Sequence, residues 1–139
     1  MEYPTKKIDP KWITEENAID ESVVKWLESF GKFLAVSGRD DPKALSASQI
    51  RKFFGEVKKI QADFERKKGE VVLLVPKLAY AVGRDYNSYD KRANSKIEEF
   101  YEQIKIGINA VGNDKSKFFN LVKIVEAIVA YHRFYGGKI

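Results

Sequence analysis

The side chains in this sequence best placed to do chemistry are cations. Arg51, Lys52, Lys58, Lys59 and Arg66 fall in one short segment. At ~100° per residue on a helix, Arg51, Lys58, Lys59 and Arg66 project roughly opposite an apolar stripe, with Lys52 at its flank. That stripe is Ile50, Phe53, Phe54, Val57, Ile60 and Phe64. Long cationic side chains at this spacing can track a phosphate backbone without reading bases. A solvated face covering an amphipathic helix has the same composition. Spacing alone leaves both readings open.

Other chemistry is poorly supplied. The chain has no cysteine, which excludes disulfides, thiolate zinc sites, iron–sulfur clusters and a cysteine nucleophile. It has 1 histidine, so a multi-histidine metal site within one chain is excluded. That residue, His132, shares a helix side with Val125, Ile128 and Val129 and is expected to be packed or interfacial. No serine-nucleophile motif accompanies it. Glu126, on the same apolar helix, is expected as a buried ion-pair partner or at a subunit contact. The pairs Asp40/Asp41 and Glu98/Glu99 are sequence neighbours whose side chains diverge. GINAVG (107–112) lacks the lysine and preceding strand of a phosphate loop. No catalytic residue, metal or cofactor is therefore expected, and the chain does not read as an enzyme.

Aromatic residues make up 13% of the sequence. The phenylalanines fall on apolar stripes and are expected in the core. Tyr80, Tyr86, Tyr89 and Tyr135 lie near expected helix ends, beside Arg84, Arg92 and Arg133. At single-strand sites such rings stack on bases.

The net charge of +5 is unevenly spread. Residues 47–68 hold seven basic and three acidic residues, a net +4, whereas residues 1–46 carry a net −2. A local excess of this kind suits an anionic partner. The 139 residues, 44% of them apolar and 32% charged, fit one soluble domain. No run approaches the ~18–20 apolar residues of a membrane span. The N-terminal residues show no apolar signal region. A cytoplasmic protein with no membrane partner is expected.

The elements that would position these residues read as helices. Residues 1–13, with Pro4, Pro10 and three lysines, are expected to form a flexible arm. Residues 14–139 are expected to form an all-α, single-domain bundle of about five helices. The first would run from Glu15 to Ala35 with Thr14 as N-cap, ending at a break over Gly38, Asp40, Asp41 and Pro42. The second would run from Ala47 to Lys67, opened by Ser46 and Gln49 in a capping-box pattern. The third, Glu70 to Arg84, would kink near Pro76. The fourth would run from Lys91 to Val111. The fifth would start at an Asp114 N-cap and stop by Gly136 and Gly137. Its apolar residues reach round most of the cylinder, which places it at the centre of a bundle or against another chain.

Three segments together carry a resemblance: SASQIRKFF (46–54), VPKLAYAVGRD (75–85) and VEAIVAYHRFYGGK (125–138). Their types, order and spacing resemble the small helical subunit of the type III-A CRISPR effector complex. The resemblance spans roughly residues 46–138. It implies a non-catalytic subunit that stacks in copies along the complex and lines the groove holding guide RNA and target single-stranded RNA. Cleavage would belong to neighbouring subunits. It assigns RNA-backbone contact to Arg51, Lys52, Lys77, Arg84 and Arg133, while Lys58 and Lys59 join them from the helical wheel. The other class of reading is a helical adaptor or homodimer whose basic face is simply solvated and whose fifth helix is the interface.

Overall fold

The computed structural model describes residues 3–4, 6–38 and 42–137. Among them are seven α-helices and one two-stranded antiparallel hairpin. The helices are α1 (Lys11–Thr14), α2 (Glu21–Ala35), α3 (Ala47–Ala62), α4 (Phe64–Lys67), α5 (Leu74–Arg84), α6 (Ile97–Val111) and α7 (Lys115–Phe134). Strands β1 (Tyr86–Asn87) and β2 (Arg92–Ala93) sit between α5 and α6. The all-α expectation holds. Asp40 and Asp41 lie outside the described residues.

Helix α7 is the axle. Its Phe118, Leu121, Ile124, Val125 and Ile128 are completely buried. It packs against α1, α2, α3 and α6. The all-round apolarity of this helix is thus consumed inside the domain. Helices α3 and α7 are antiparallel: Leu45, just before α3, meets His132; Lys58 meets Glu126; Phe64 meets Phe118. Helix α2 also runs against α7, with Gly31 at the crossing. A Cβ at Gly31 would stand 2.7 Å from the Tyr131 Cβ.

Caps chosen by local chemistry fall where the sequence puts them. The Ser46 hydroxyl accepts from the Gln49 amide at 3.1 Å, and the Gln49 side chain accepts from the Ser46 amide at 3.0 Å. Asp114 accepts from the Lys117 amide at 3.0 Å. At the end of α7, Gly136 takes φ 91°, and the Gly136 and Gly137 amides bond back to Arg133 and His132. That double bond pattern stops the helix and needs a left-handed residue at Gly136.

Several boundaries differ from the expectation. The first helix begins at Glu21, not Glu15, because Asp20 supersedes Thr14 as cap, accepting from the Val23 amide and the Ser22 hydroxyl. Part of the segment expected as a flexible arm packs on the bundle. Ile8, Trp12 and Ile13 are buried, the Ile8 amide donates to Gln103, and Asn120 donates to the Ile13 carbonyl. The second helix breaks at Asp63 and resumes as α4, which seats Phe64 on Phe118. Pro76 makes no kink inside a helix. It lies in the first turn of α5, where backbone amides have no intrahelical acceptor to lose. The fourth helix begins at Ile97, not Lys91, because Asp85 organises the preceding turn. Its backbone carbonyl accepts from the Asn94 amide, and its carboxylate accepts from the Ser95 amide and hydroxyl.

One buried cation went unanticipated. Lys96 is fully buried and donates to the Phe33 and Val36 carbonyls at 2.8 and 2.6 Å. It satisfies carbonyls that the end of α2 leaves without amide partners, and it favours the negative end of that helix dipole.

Candidate nucleic-acid interface

The seven cations singled out from sequence are all exposed, and the fold divides them between two flanks of α3. On one flank α3 and α5 enclose an open groove of about 840 Å³. Lys52 lines it from α3, and Lys77 and Arg84 line it from α5. Phe53, Leu78 and Ile97, all buried, form its apolar floor. The structure thus brings together three cations separated by up to 32 residues of sequence.

On the other flank lies the seam between α3 and α7. Lys58 reaches Glu126 across it at 3.9 Å. Arg51 precedes Lys58 by seven residues, and Arg133 follows Glu126 by seven. Two helical turns return a side chain to nearly the same direction. Because the helices are antiparallel, Arg51 and Arg133 therefore flank the same end of this seam. Lys59 lies seven residues after Lys52, on the same flank of α3, and pairs with Glu56 at 3.9 Å.

Pairing separates the seven further. Lys58, Lys59 and Lys77 each have a carboxylate partner. Among the described residues, Arg51, Lys52, Arg84 and Arg133 have no ion pair. Arg51 donates from Nε to the Ala47 carbonyl at 3.3 Å, one turn back. Arg84 stands over the Tyr80 ring at 5.9 Å. Exposed pairs are weak, so the three paired lysines are restrained more than neutralised.

Glu56 is the acid the sequence reading overlooked. It accepts from Lys77 at 3.1 Å and sits near Lys59 and Lys52. The hydrogen bond from Lys77, together with these charges, holds its carboxyl below the usual range, against a smaller opposing effect of burial. Its relation to Lys52 and Lys59, four residues before and three after, was readable as helical spacing. Its relation to Lys77 depends on how α5 docks.

The residues weighed for catalysis are otherwise engaged. His132 is 1% exposed, with Nε2 2.6 Å from the Leu45 carbonyl oxygen. Burial pushes its pKa below the usual value, so the neutral ring donates from Nε2. Glu126 lies at the surface and pairs with Lys58. Glu98 and Glu99, expected to diverge, instead both reach Arg92, with Glu99 gripping it through both carboxylate oxygens at 2.9 and 2.8 Å. They act as structural anchors of β2. Among the described residues, no group of three or more His, Asp or Glu could hold a metal ion. No helix among them is long and apolar enough to cross a membrane.

An open, cation-lined surface over an apolar floor suits an anionic polymer, which it would meet by charge neutralisation and contact. Comparison with known proteins gives one positive result. The family described as Csm2 Type III-A matches residues 21–138. No curated protein and no solved structure matches the chain.

Proposed function

Since this chain belongs to the Csm2 type III-A family and is thereby a small subunit of the type III-A CRISPR complex, we propose that it holds RNA by its backbone and does no cleavage itself. The observation that carries this reading is the set of four exposed cations without ion pairs, Arg51, Lys52, Arg84 and Arg133, on the two flanks of one helix. Side chains in that state release counterions when they meet phosphates. The guide RNA and the target single-stranded RNA are the proposed ligands, and Lys58, Lys59 and Lys77 assist from their weaker pairs. Sequence specificity then comes from guide–target pairing rather than from this chain. The engaged states of His132 and Glu126 support a non-catalytic role.

The other subunits of the complex are its protein partners, in the cytoplasm. Copies of the chain stack head to tail. In support, exposed apolar residues occur at both ends of the bundle: Val72 and Leu73, which follow the α3–α4 end, and Phe134, at the far end of α7. A heterologous contact of this kind repeats without closing. The apolar face of α7 from Phe118 to Ile128 is already covered within the domain, which leaves Phe134 as its exposed large apolar side chain and argues against the adaptor reading that would use the whole helix as an interface.

A salt titration tests the RNA reading. With four phosphates neutralised, single-strand affinity falls ~50-fold between 50 and 200 mM salt, from a slope near −0.7 per contact. A flat salt response would return the stripe to a merely solvated face. Purification of the tagged chain from its own cells, with short guide RNAs and the other subunits recovered alongside, tests the assembly.

A further inference from the structure

The groove between α3 and α5 contains a ring that backbone neutralisation does not require. Tyr80 is 69% exposed in the middle of this cationic wall. Lys77 precedes it by three residues and Arg84 follows by four, so all three share one face of α5. The Arg84 guanidinium lies 5.9 Å from the ring centroid. Among the described residues, neither the Tyr80 hydroxyl nor the Arg84 guanidinium is tied by a hydrogen bond or ion pair.

The chemistry around the ring selects its cover. Three cations face the groove, Lys52, Lys77 and Arg84. Of its two acids, Glu56 is held by Lys77, and Asp85 accepts from the Ser95 amide and hydroxyl. A ligand with a flat apolar face and an anion on either side matches this arrangement. An unpaired nucleotide has that form. A duplex does not, because its base faces are hidden in the stack.

We propose that this groove takes an unpaired base of single-stranded RNA, stacked on Tyr80, with Lys52, Lys77 and Arg84 meeting the flanking phosphates. The proposal rests on the RNA-contact reading above. It adds that the chain senses whether the strand is unpaired at this point, because base–aromatic stacking tolerates any sequence but requires a free face.

The test uses the full chain at 50 mM salt, with a single-stranded oligoribonucleotide carrying 2-aminopurine and the blunt duplex of the same sequence. Binding of the single strand is expected to change the 2-aminopurine fluorescence. Tyr80→Leu should weaken single-strand affinity on the order of tenfold or more and leave the salt slope unchanged, since no charge is removed. Tyr80→Phe should retain affinity, and duplex binding should be indifferent to both variants. The exposure of Tyr80 keeps these substitutions outside the core. Salt-dependent binding that ignores Tyr80→Leu overturns the stacking site and leaves backbone contact standing. No single-strand binding by the parent chain overturns both. Loss of partner subunits from the purified Tyr80→Leu complex, with RNA affinity unchanged, assigns the groove to a protein segment and likewise overturns the proposal.

Discussion

The imidazole of His132 hydrogen-bonds the carbonyl oxygen of Leu45, 87 positions earlier, with Nε2 2.6 Å from it. This contact pins the end of α7 to the residue that leads into the α3 cap. The ring is walled by Gly137, where a Cβ would overlap it. Burial lowers the folded-state pKa below the ordinary value of 6.5. The unfolded chain therefore binds the extra proton first as pH falls. Stability is full above about pH 6.5 and declines below it, by at most ~1.4 kcal/mol per pH unit until the folded-state pKa is reached. Thermal melts at pH 7.5, 6.5 and 5.5 should show this decline in the parent chain. His132→Gln should be less stable throughout but flatter in that window. Parallel profiles for the two proteins would remove His132 as the titrating group.

Two glycines on helices should respond oppositely to the same substitution. At Gly31 an added Cβ would lie 2.7 Å from the Tyr131 Cβ and 3.1 Å from the Ile128 carbonyl oxygen. Helices α2 and α7 must separate, so Gly31→Ala should cost about 1–3 kcal/mol. Gly55, on the exposed side of α3, has nothing within 4 Å of that position. Gly55→Ala should stabilise by roughly 0.5–1 kcal/mol through helix propensity. Urea denaturation midpoints of the two variants, compared at equal slope, decide the matter.

Glu99 holds Arg92 by both carboxylate oxygens, with side chains only 11% and 27% exposed. Replacing Glu99 with Gln removes the charge from this fork and leaves Glu98, 3.9 Å away, as the nearest acid. A loss of about 1.5–3 kcal/mol is expected. Amide exchange around β2 and the start of α6 should accelerate more than in α2.

The division between paired and unpaired cations predicts a split in salt dependence. Removing Arg51, Lys52, Arg84 and Arg133 together should flatten the logarithmic salt slope of single-strand binding by about 2.8, at ~0.7 per phosphate. Removing Lys58, Lys59 and Lys77 should change it less, because each must first leave a carboxylate. Equal effects from the two sets would mean that exposed pairing does not govern which cations reach the RNA.

Local signals were legible in the sequence, and contacts set by packing were not. The Ser46–Gln49 box, the Asp114 cap and the Gly136–Gly137 stop each act within a few residues, and all three stand where expected. The helix starts before Glu21 and Ile97 failed for the opposite reason. Thr14 and Lys91 are adequate openings until Asp20 and the Asp85–Ser95 bonds offer better ones. Lys96 reads as one more surface lysine, since its acceptors lie 63 and 60 residues earlier, at the end of α2. Of the candidate site, the sequence supplied the cations and their helical face. The groove required the docking of α5 on α3, whereas the place of Tyr80 between Lys77 and Arg84 was readable as helical spacing along α5.

The docking of residues 8–14 bears on the order in which the fold can be completed. Ile8 is tied to Gln103 and Ile13 to Asn120, across 95 and 107 residues. During synthesis at ~5–20 residues per second, this segment waits on the order of five to twenty seconds for its acceptors to be made. Until then Ile8 and Ile13 lack their partners on α6 and α7, while Trp12 already has Trp26 of α2 within reach. A domain halted before α7 would leave Ile13 without its partner and available to a chaperone.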